Sequence, residues 1–188
     1  MSRGKARAAK ATLISVDGVD TADVRTAARA ALGSPSRGGI SRWDASGVFQ
    51  DLAVADEAAG TPSARTLLLL YAADLAFRVR WHIRPALAEG RTVVAAPYVD
   101  TAVAFGRAAG LQAGWLTNLF GFAPRASDRR FAHSSGARVL TVKDGFVGFA
   151  CDHMTGVATV AARRRLAADT AARLRKTAKK GRARKPRA

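Results

Sequence analysis

Leu67-Leu68-Leu69-Leu70-Tyr71-Ala72-Ala73-Asp74-Leu75-Ala76-Phe77-Arg78-Val79-Arg80-Trp81-His82-Ile83-Arg84-Pro85-Ala86-Leu87-Ala88-Glu89-Gly90-Arg91-Thr92-Val93-Val94-Ala95-Ala96 is the stretch that decides the fold. Apolar side chains recur three and four residues apart at Leu67, Leu68, Tyr71, Leu75, Val79, His82/Ile83 and Leu87, the spacing of one buried helix face. Glu89-Gly90 ends that helix. Thr92 to Ala96 is then a short run apolar on both sides, as strands covered on both faces are. A long helix feeding a doubly buried strand predicts an α/β architecture with a mostly parallel central sheet.

The flanking chain extends the pattern. Ala11 to Val16 reads as a first strand stopping at Asp17-Gly18, and Asp20 or Thr21 caps a helix whose inner face is Val24, Ala27, Ala28, Ala31 and Leu32. Ser34 to Gly39 is a loop, the segment 40–47 with Arg42, Trp43 and Asp44 is extended or irregular, and Phe49 to Ala59 is a short helix closed by Gly60-Thr61-Pro62. Helices are expected near Asp100 to Ala109 and Gln112 to Ala123, with Pro124 as the stop. Arg125 to Gly136 reads as a polar, basic loop. Ala137 to Val142 and Phe146 to Ala150 read as strands around a Lys143-Asp144-Gly145 turn, and an Ala- and Arg-rich helix begins at Thr155.

The chain of 188 residues carries a formal charge of +17. Arg3, Lys5, Arg7 and Lys10 at one end, and the twelve Lys and Arg residues from Arg163 onward against Asp169, account for all but two of those charges. The central part is close to neutral. This divides the sequence into a basic, disordered start (1–10), a folded domain (11–162) and a basic helix with a disordered tail from Lys179 (163–188). Arg182, Arg184 and Lys185, with no aromatic residue near them, suit nonspecific phosphate contact with nucleic acid; the alternative is a solubilising extension. A single cysteine, Cys151, excludes an internal disulfide, and no apolar run reaches the roughly 20 residues of a membrane span. The basic start lacks the apolar core of a secretory signal, so a cytoplasmic protein without membrane contact is expected.

Strand, turn, helix, loop, long helix, strand and helix in this order resembles the thymidylate kinase family of P-loop nucleoside monophosphate kinases, over roughly Ala11 to Pro124. L-L-Y-A-A-D (Leu69 to Asp74), I-R-P-A-L-A-E-G (Ile83 to Gly90) and the following T-V-V carry the resemblance. It implies a three-layer P-loop kinase-like domain, here shortened at its C-terminal end, and a reaction in which ATP with Mg2+ phosphorylates dTMP to dTDP. It also implies a homodimer, or a heterodimer with an active relative. The chemistry-bearing positions depart from the family pattern. Where the family reads E-G-x-D-G-x-G-K-S/T-T, this chain reads Asp17-Gly18-Val19-Asp20-Thr21-Ala22-Asp23-Val24-Arg25-Thr26. Gly18, Asp20 and Thr26 match, whereas Val24 stands in place of the phosphate-binding lysine and Thr21 and Asp23 in place of loop glycines. Ala96-Pro97-Tyr98 replaces Asp-Arg-Tyr, and Leu75 replaces the arginine after A-A-D.

The expectation is therefore a nucleotide-binding pseudoenzyme with impaired phosphoryl transfer, and the alternative is an accessory nucleic-acid-binding or partner-binding scaffold acting through its basic tail. The resemblance marks Gly18, Asp20, Thr26, Arg42, Tyr71 and Tyr98 for nucleotide binding. Tyr71 either offers its ring to the base or is a plain core aromatic, and Asp20 is either an acceptor-side carboxylate or a helix cap. Arg25, Arg42 or Arg125 are the cations from which phosphate contacts would be rebuilt in an active enzyme. Cys151-Asp152-His153 has no partner ligands at metal-site spacing, and Ser134, Ser135, His133 and Asp128 lack the context of a hydrolase triad.

Overall fold

The computed structural model describes residues 11–34, 38–133 and 145–183. Four strands form one sheet in the order β2-β3-β1-β4, and every pair is parallel. The first strand, β1 (Thr12–Asp17), is buried on both faces from Leu13 onward. It leads through a tight turn into α1 (Thr21–Leu32), capped by Asp20, whose side chain accepts a bond from the Asp23 amide. Val24 and Ala28 of α1 are buried and pack with Ile14, Val16, Val94 and Ala96 on one face of the sheet.

The second strand, β2 (Gly38–Arg42), turns through Asp44 into α2 (Val48–Ala59). The long helix runs as α3 (Ala64–Arg78), a π-helical turn (Val79–Ile83) and α4 (Arg84–Ala88), and β3 (Thr92–Ala96) follows it into the sheet centre. The helical face expected from the spacing is the buried one: Leu67, Leu68, Tyr71, Leu75, Val79 and Ile83 are all in the core, and of the His82/Ile83 pair it is Ile83 that turns inward. Next come α5 (Val99–Ala108) and α6 (Ala113–Leu119), the latter shorter than the expected 112–123. The larger core, where Leu13, Val93 and Ala95 of the sheet meet Leu68, Tyr71 and Phe105 on the face opposite α1, completes three layers.

Several expectations are corrected. The segment 125–136 contains β4 (Asp128–Phe131), which pairs with β1 through the register Ile14↔Asp128 to Asp17↔Phe131. Its D-R-R-F sequence carries no alternating apolar signal, because at a sheet edge the backbone ladder holds the strand and charged side chains discourage further pairing. The extended segment around Arg42 is likewise a ladder strand. Phe146 to Ala150 is not a strand but part of α7 (Phe146–His153): six consecutive buried residues, Phe146 to Cys151, are apolar or small all round, and such a run has no period that separates helix from strand. The last helix, α8 (Val160–Ala183), begins later than Thr155 and continues helically past Lys179 to Ala183. It crosses the position where the sequence reading ended the domain, and its Leu166, Ala167, Ala171 and Leu174 are buried beside α5. The 1–10 start, the Ala137–Val142 strand, the Ser134-Ser135 pair and Arg184 and Lys185 lie outside the described residues, as does the side chain of Arg182.

Candidate functional site

The parallel sheet aims the carboxyl ends of β1, β2 and β3 at one edge of the domain. The chain leaves β1 toward β2 and returns through β3 to reach β4 on the other side, so the topology switches between β1 and β3. Crevices at such switch points are where open α/β sheets place ligands. A cavity of about 240 Å³ lies there, lined by Gly18 after β1, Arg42 and Trp43 at the end of β2, Ala96 and Pro97 at the end of β3, Arg25 and Arg29 on α1, and Phe146 on α7. Its floor is apolar and its cations sit on exposed positions of α1 and β2.

Two polar networks hold this rim. At the end of β1, Asp17 is fully buried, and its Oδ1 accepts bonds from the Tyr98 amide at 2.9 Å, the Thr101 amide at 2.9 Å and the Thr101 hydroxyl at 2.8 Å. The Gly18 amide in turn donates to Thr101 Oγ1 at 3.1 Å, tying the first turn to the start of α5. Asp17 Oδ2 has no hydrogen-bond partner among the described residues. Burial, together with the nearby Asp100 carboxylate, pushes the Asp17 carboxyl up to about 7 despite those three donors.

The second network joins β2 to β3 through α3. Asp74 accepts from Arg78 Nε at 2.9 Å, from the Asp44 and Ser46 amides at 3.2 Å each, and from the Ser46 hydroxyl at 3.1 Å. Arg78, also fully buried, donates to the Pro97 carbonyl at 2.9 Å. Asp44 has a φ of 60°, a left-handed conformation that Asp tolerates, and its carboxylate caps α2 by accepting from the Phe49 and Gln50 amides. Partial burial raises the Asp44 carboxyl above its usual range. The clamp sets Trp43 against Phe49 and Phe149, with ring centroids 4.9 and 5.9 Å away, on the cavity wall. Trp43 Nε1 is buried without a hydrogen-bond partner among the described residues.

The turn into α1 is closed from two sides. A Cβ on Gly18 would come within 2.6 Å of Val24 Cγ2, so Val24 packs onto the turn itself. A Cβ on Gly145 would collide with Thr21 Oγ1, so the chain entering α7 lies directly against the first residue of α1.

Of the six residues marked for nucleotide binding, Gly18 and Arg42 line the cavity. Asp20 is 1% exposed and serves as the α1 cap, with Oδ2 unpartnered among the described residues. Thr26 is exposed and lies away from the cavity. Tyr71 is fully buried, its hydroxyl donating to the Tyr98 carbonyl at 2.8 Å and its ring 4.5 Å from that of Phe146. Burial moves its phenol well above the usual range. Tyr98 is buried and donates to the Pro124 carbonyl at 2.7 Å; burial pushes its phenol up to about 12. Sequence reasoning passed over Asp17, Asp74, Arg78 and Thr101. The spacing of Asp74 and Arg78, four residues apart on one helix, was the available signal for a pair. Among the described residues no cluster of His, Cys, Asp or Glu could hold a metal ion, and the buried Cys151 thiol is pushed up to about 12.

Comparison with known proteins agrees with this architecture. No family model matches the chain. A protein described as a probable thymidylate kinase from Pyrococcus horikoshii is 44% identical over 57 residues, 30% of this chain. The match spans only 28% of that relative's length. The crystal structure of thymidylate kinase from Ehrlichia chaffeensis superimposes with a TM-score of 0.54 at 16% identity, covering 77% of this chain and 90% of that one. The chain thus has a thymidylate kinase-like fold. No helix among the described residues is long and apolar enough to cross a membrane.

Proposed function

We propose that this chain is a nucleotide-binding pseudoenzyme on a thymidylate kinase-like fold, taking a nucleoside monophosphate such as dTMP in the switch-point cavity while ATP-dependent phosphoryl transfer is impaired. The observation that carries the reading is the cavity itself: Arg25, Arg29 and Arg42 surround an apolar pocket whose wall includes Trp43, whose indole N–H has no partner among the described residues. Cations at the mouth suit a phosphate, and apolar walls with one donor suit a planar base. At about 240 Å³ the pocket is a little below the usual range for a drug-sized ligand.

The residues present do not fit magnesium-ATP. Such a site turns successive backbone amides toward phosphate oxygens, adds a lysine, and holds the metal with a hydroxyl. Here Val24 stands in the lysine position and packs onto Gly18, the Gly145 turn abuts Thr21, and Thr26 faces solvent. No transfer step follows from this arrangement. Calorimetric titration of dTMP into the full chain, with and without magnesium-ATP, tests both halves. Saturable binding is expected, weakened in Arg42→Ala by about tenfold or more, since bonds to a charged group contribute roughly 1.5–3 kcal/mol. Sustained formation of dTDP would overturn the impairment. Absence of any binding by the folded protein would overturn the nucleotide site.

A specific surface feature favours self-association as well. Leu69, Phe77 and Trp81 are 50%, 37% and 59% exposed, and with the exposed Ala73 they fall four residues apart along the long helix. One apolar stripe on one helix suits a second copy of the same helix, or of an active relative, packed across it.

A further inference from the structure

A second cavity, larger than the one at the switch point, lies elsewhere in the fold. A groove of about 580 Å³ runs between the edge strand β4 and the C-terminal half of α8, with Arg129, Arg130, His133, Arg175 and Lys179 on its walls and Asp128 the one carboxylate. Its cations come from segments more than 40 residues apart in the chain, joined only by folding. Arg129 pairs with Asp100, with Nη2 2.7 Å from Asp100 Oδ1, and Arg130 pairs with Asp128 at 2.9 Å. Both arginine side chains are nearly half exposed; the single-bonded Arg130–Asp128 pair is a weak surface pair that a phosphate can replace, whereas the bidentate Arg129–Asp100 pair, which also uses Nε, holds the Arg129 guanidinium in place. Arg175 and Lys179 are exposed, make no ion pair with any described residue and stand one helical turn apart, about 6 Å along the axis. Phe131, partly buried, contributes a ring to the same wall, with the Arg129 guanidinium carbon 5.9 Å from its centroid.

We propose that the groove between β4 and α8 binds single-stranded nucleic acid, with Arg175 and Lys179 contacting consecutive backbone phosphates and Phe131 and Arg129 offering a stacking surface to a base. A cationic groove interleaved with an aromatic ring is the arrangement that binds single strands without sequence preference. An acidic peptide would satisfy the cations but would make no use of the ring. The proposal concerns the folded groove rather than the tail residues Arg182, Arg184 and Lys185, and it is independent of nucleotide binding in the cavity.

The test is fluorescence anisotropy of labelled oligo(dT) and oligo(rU) with the full chain over a series of salt concentrations. Binding is expected to weaken with salt, and the Arg175→Ala/Lys179→Ala double variant should lose at least tenfold in affinity and flatten the log–log salt slope by about 1.4, roughly 0.7 for each phosphate contact removed. Arg164→Ala/Arg165→Ala removes the same charge from exposed positions of the same helix outside the groove and should leave the slope unchanged. Excess dTMP should not displace either oligonucleotide, and a preference between them identifies whether the deoxy or the ribo strand is the natural source of the phosphodiester backbone. Equal losses in the two double variants, no binding by the unmodified chain, or competition by poly-glutamate as effective as by unlabelled oligonucleotide would each overturn the proposal.

Discussion

Replacing Asp17 with Asn should make the protein's stability less dependent on pH. In the native state the Asp17 carboxyl titrates near 7, against the usual carboxylate value of 3.8 in an unfolded chain. Between those values the folded state holds a proton that the unfolded state has released, so stability falls as pH rises through this window and levels off above it. At 1.36 kcal/mol per unit, the displacement corresponds to a few kcal/mol, on the order of 4, and more than half of it falls between pH 5 and pH 8. The cause is burial without compensation: Oδ1 has three donors, while Oδ2 has no hydrogen-bond partner among the described residues and Asp100 stands nearby. Asn keeps an oxygen for the three donors and removes the charge. Urea denaturation of both proteins across pH 5 to 8 should show the stability difference moving in favour of Asp17→Asn by roughly 2–3 kcal/mol as pH rises. Parallel stability profiles over that range would refute the reasoning, because they would mean that Asp17 ionises in the folded state as it does in the unfolded one.

Asp74→Ala should destabilise the protein by about 3–5 kcal/mol, since it leaves the fully buried Arg78 charged and without its carboxylate, while Asp74→Leu combined with Arg78→Met should recover most of that loss; chemical denaturation measures both. On the proposed self-association through the exposed stripe, Trp81→Glu should shift the sedimentation profile of the full chain from dimer to monomer while leaving its circular dichroism unchanged, because Trp81 is 59% exposed in the isolated chain.

What was legible in the sequence was whatever local periodicity and capping encode. The buried face of the long helix, the doubly buried β3, the first strand and the Asp20 cap could all be read because each depends on residues within a few positions of one another. The cavity was half legible: Gly18 and Arg42 lie at strand ends where ligands collect, but Trp43 and Phe146 meet there only after α7 folds across the long helix.

Tertiary structure alone decided the rest, and in each case a long-range interaction outweighed the local signal. The polar β4 is ordered by its ladder to β1, more than 100 residues earlier, with the Ala132 amide donating to the Asp17 carbonyl at 2.9 Å. The apolar α7 carries no period of its own and buries Phe146 against Tyr71, Phe49 and Phe105. The composition of α8 reads as a charged appendage, yet Leu166, Ala167, Ala171 and Leu174 form a narrow stripe that α5 covers. Covering that stripe is what brings Arg175 and Lys179 beside Arg129 and Arg130. Charge can be counted from a sequence, but whether it forms a surface depends on which distant apolar residues find each other, because burial depends on proximity in space and not on separation along the chain.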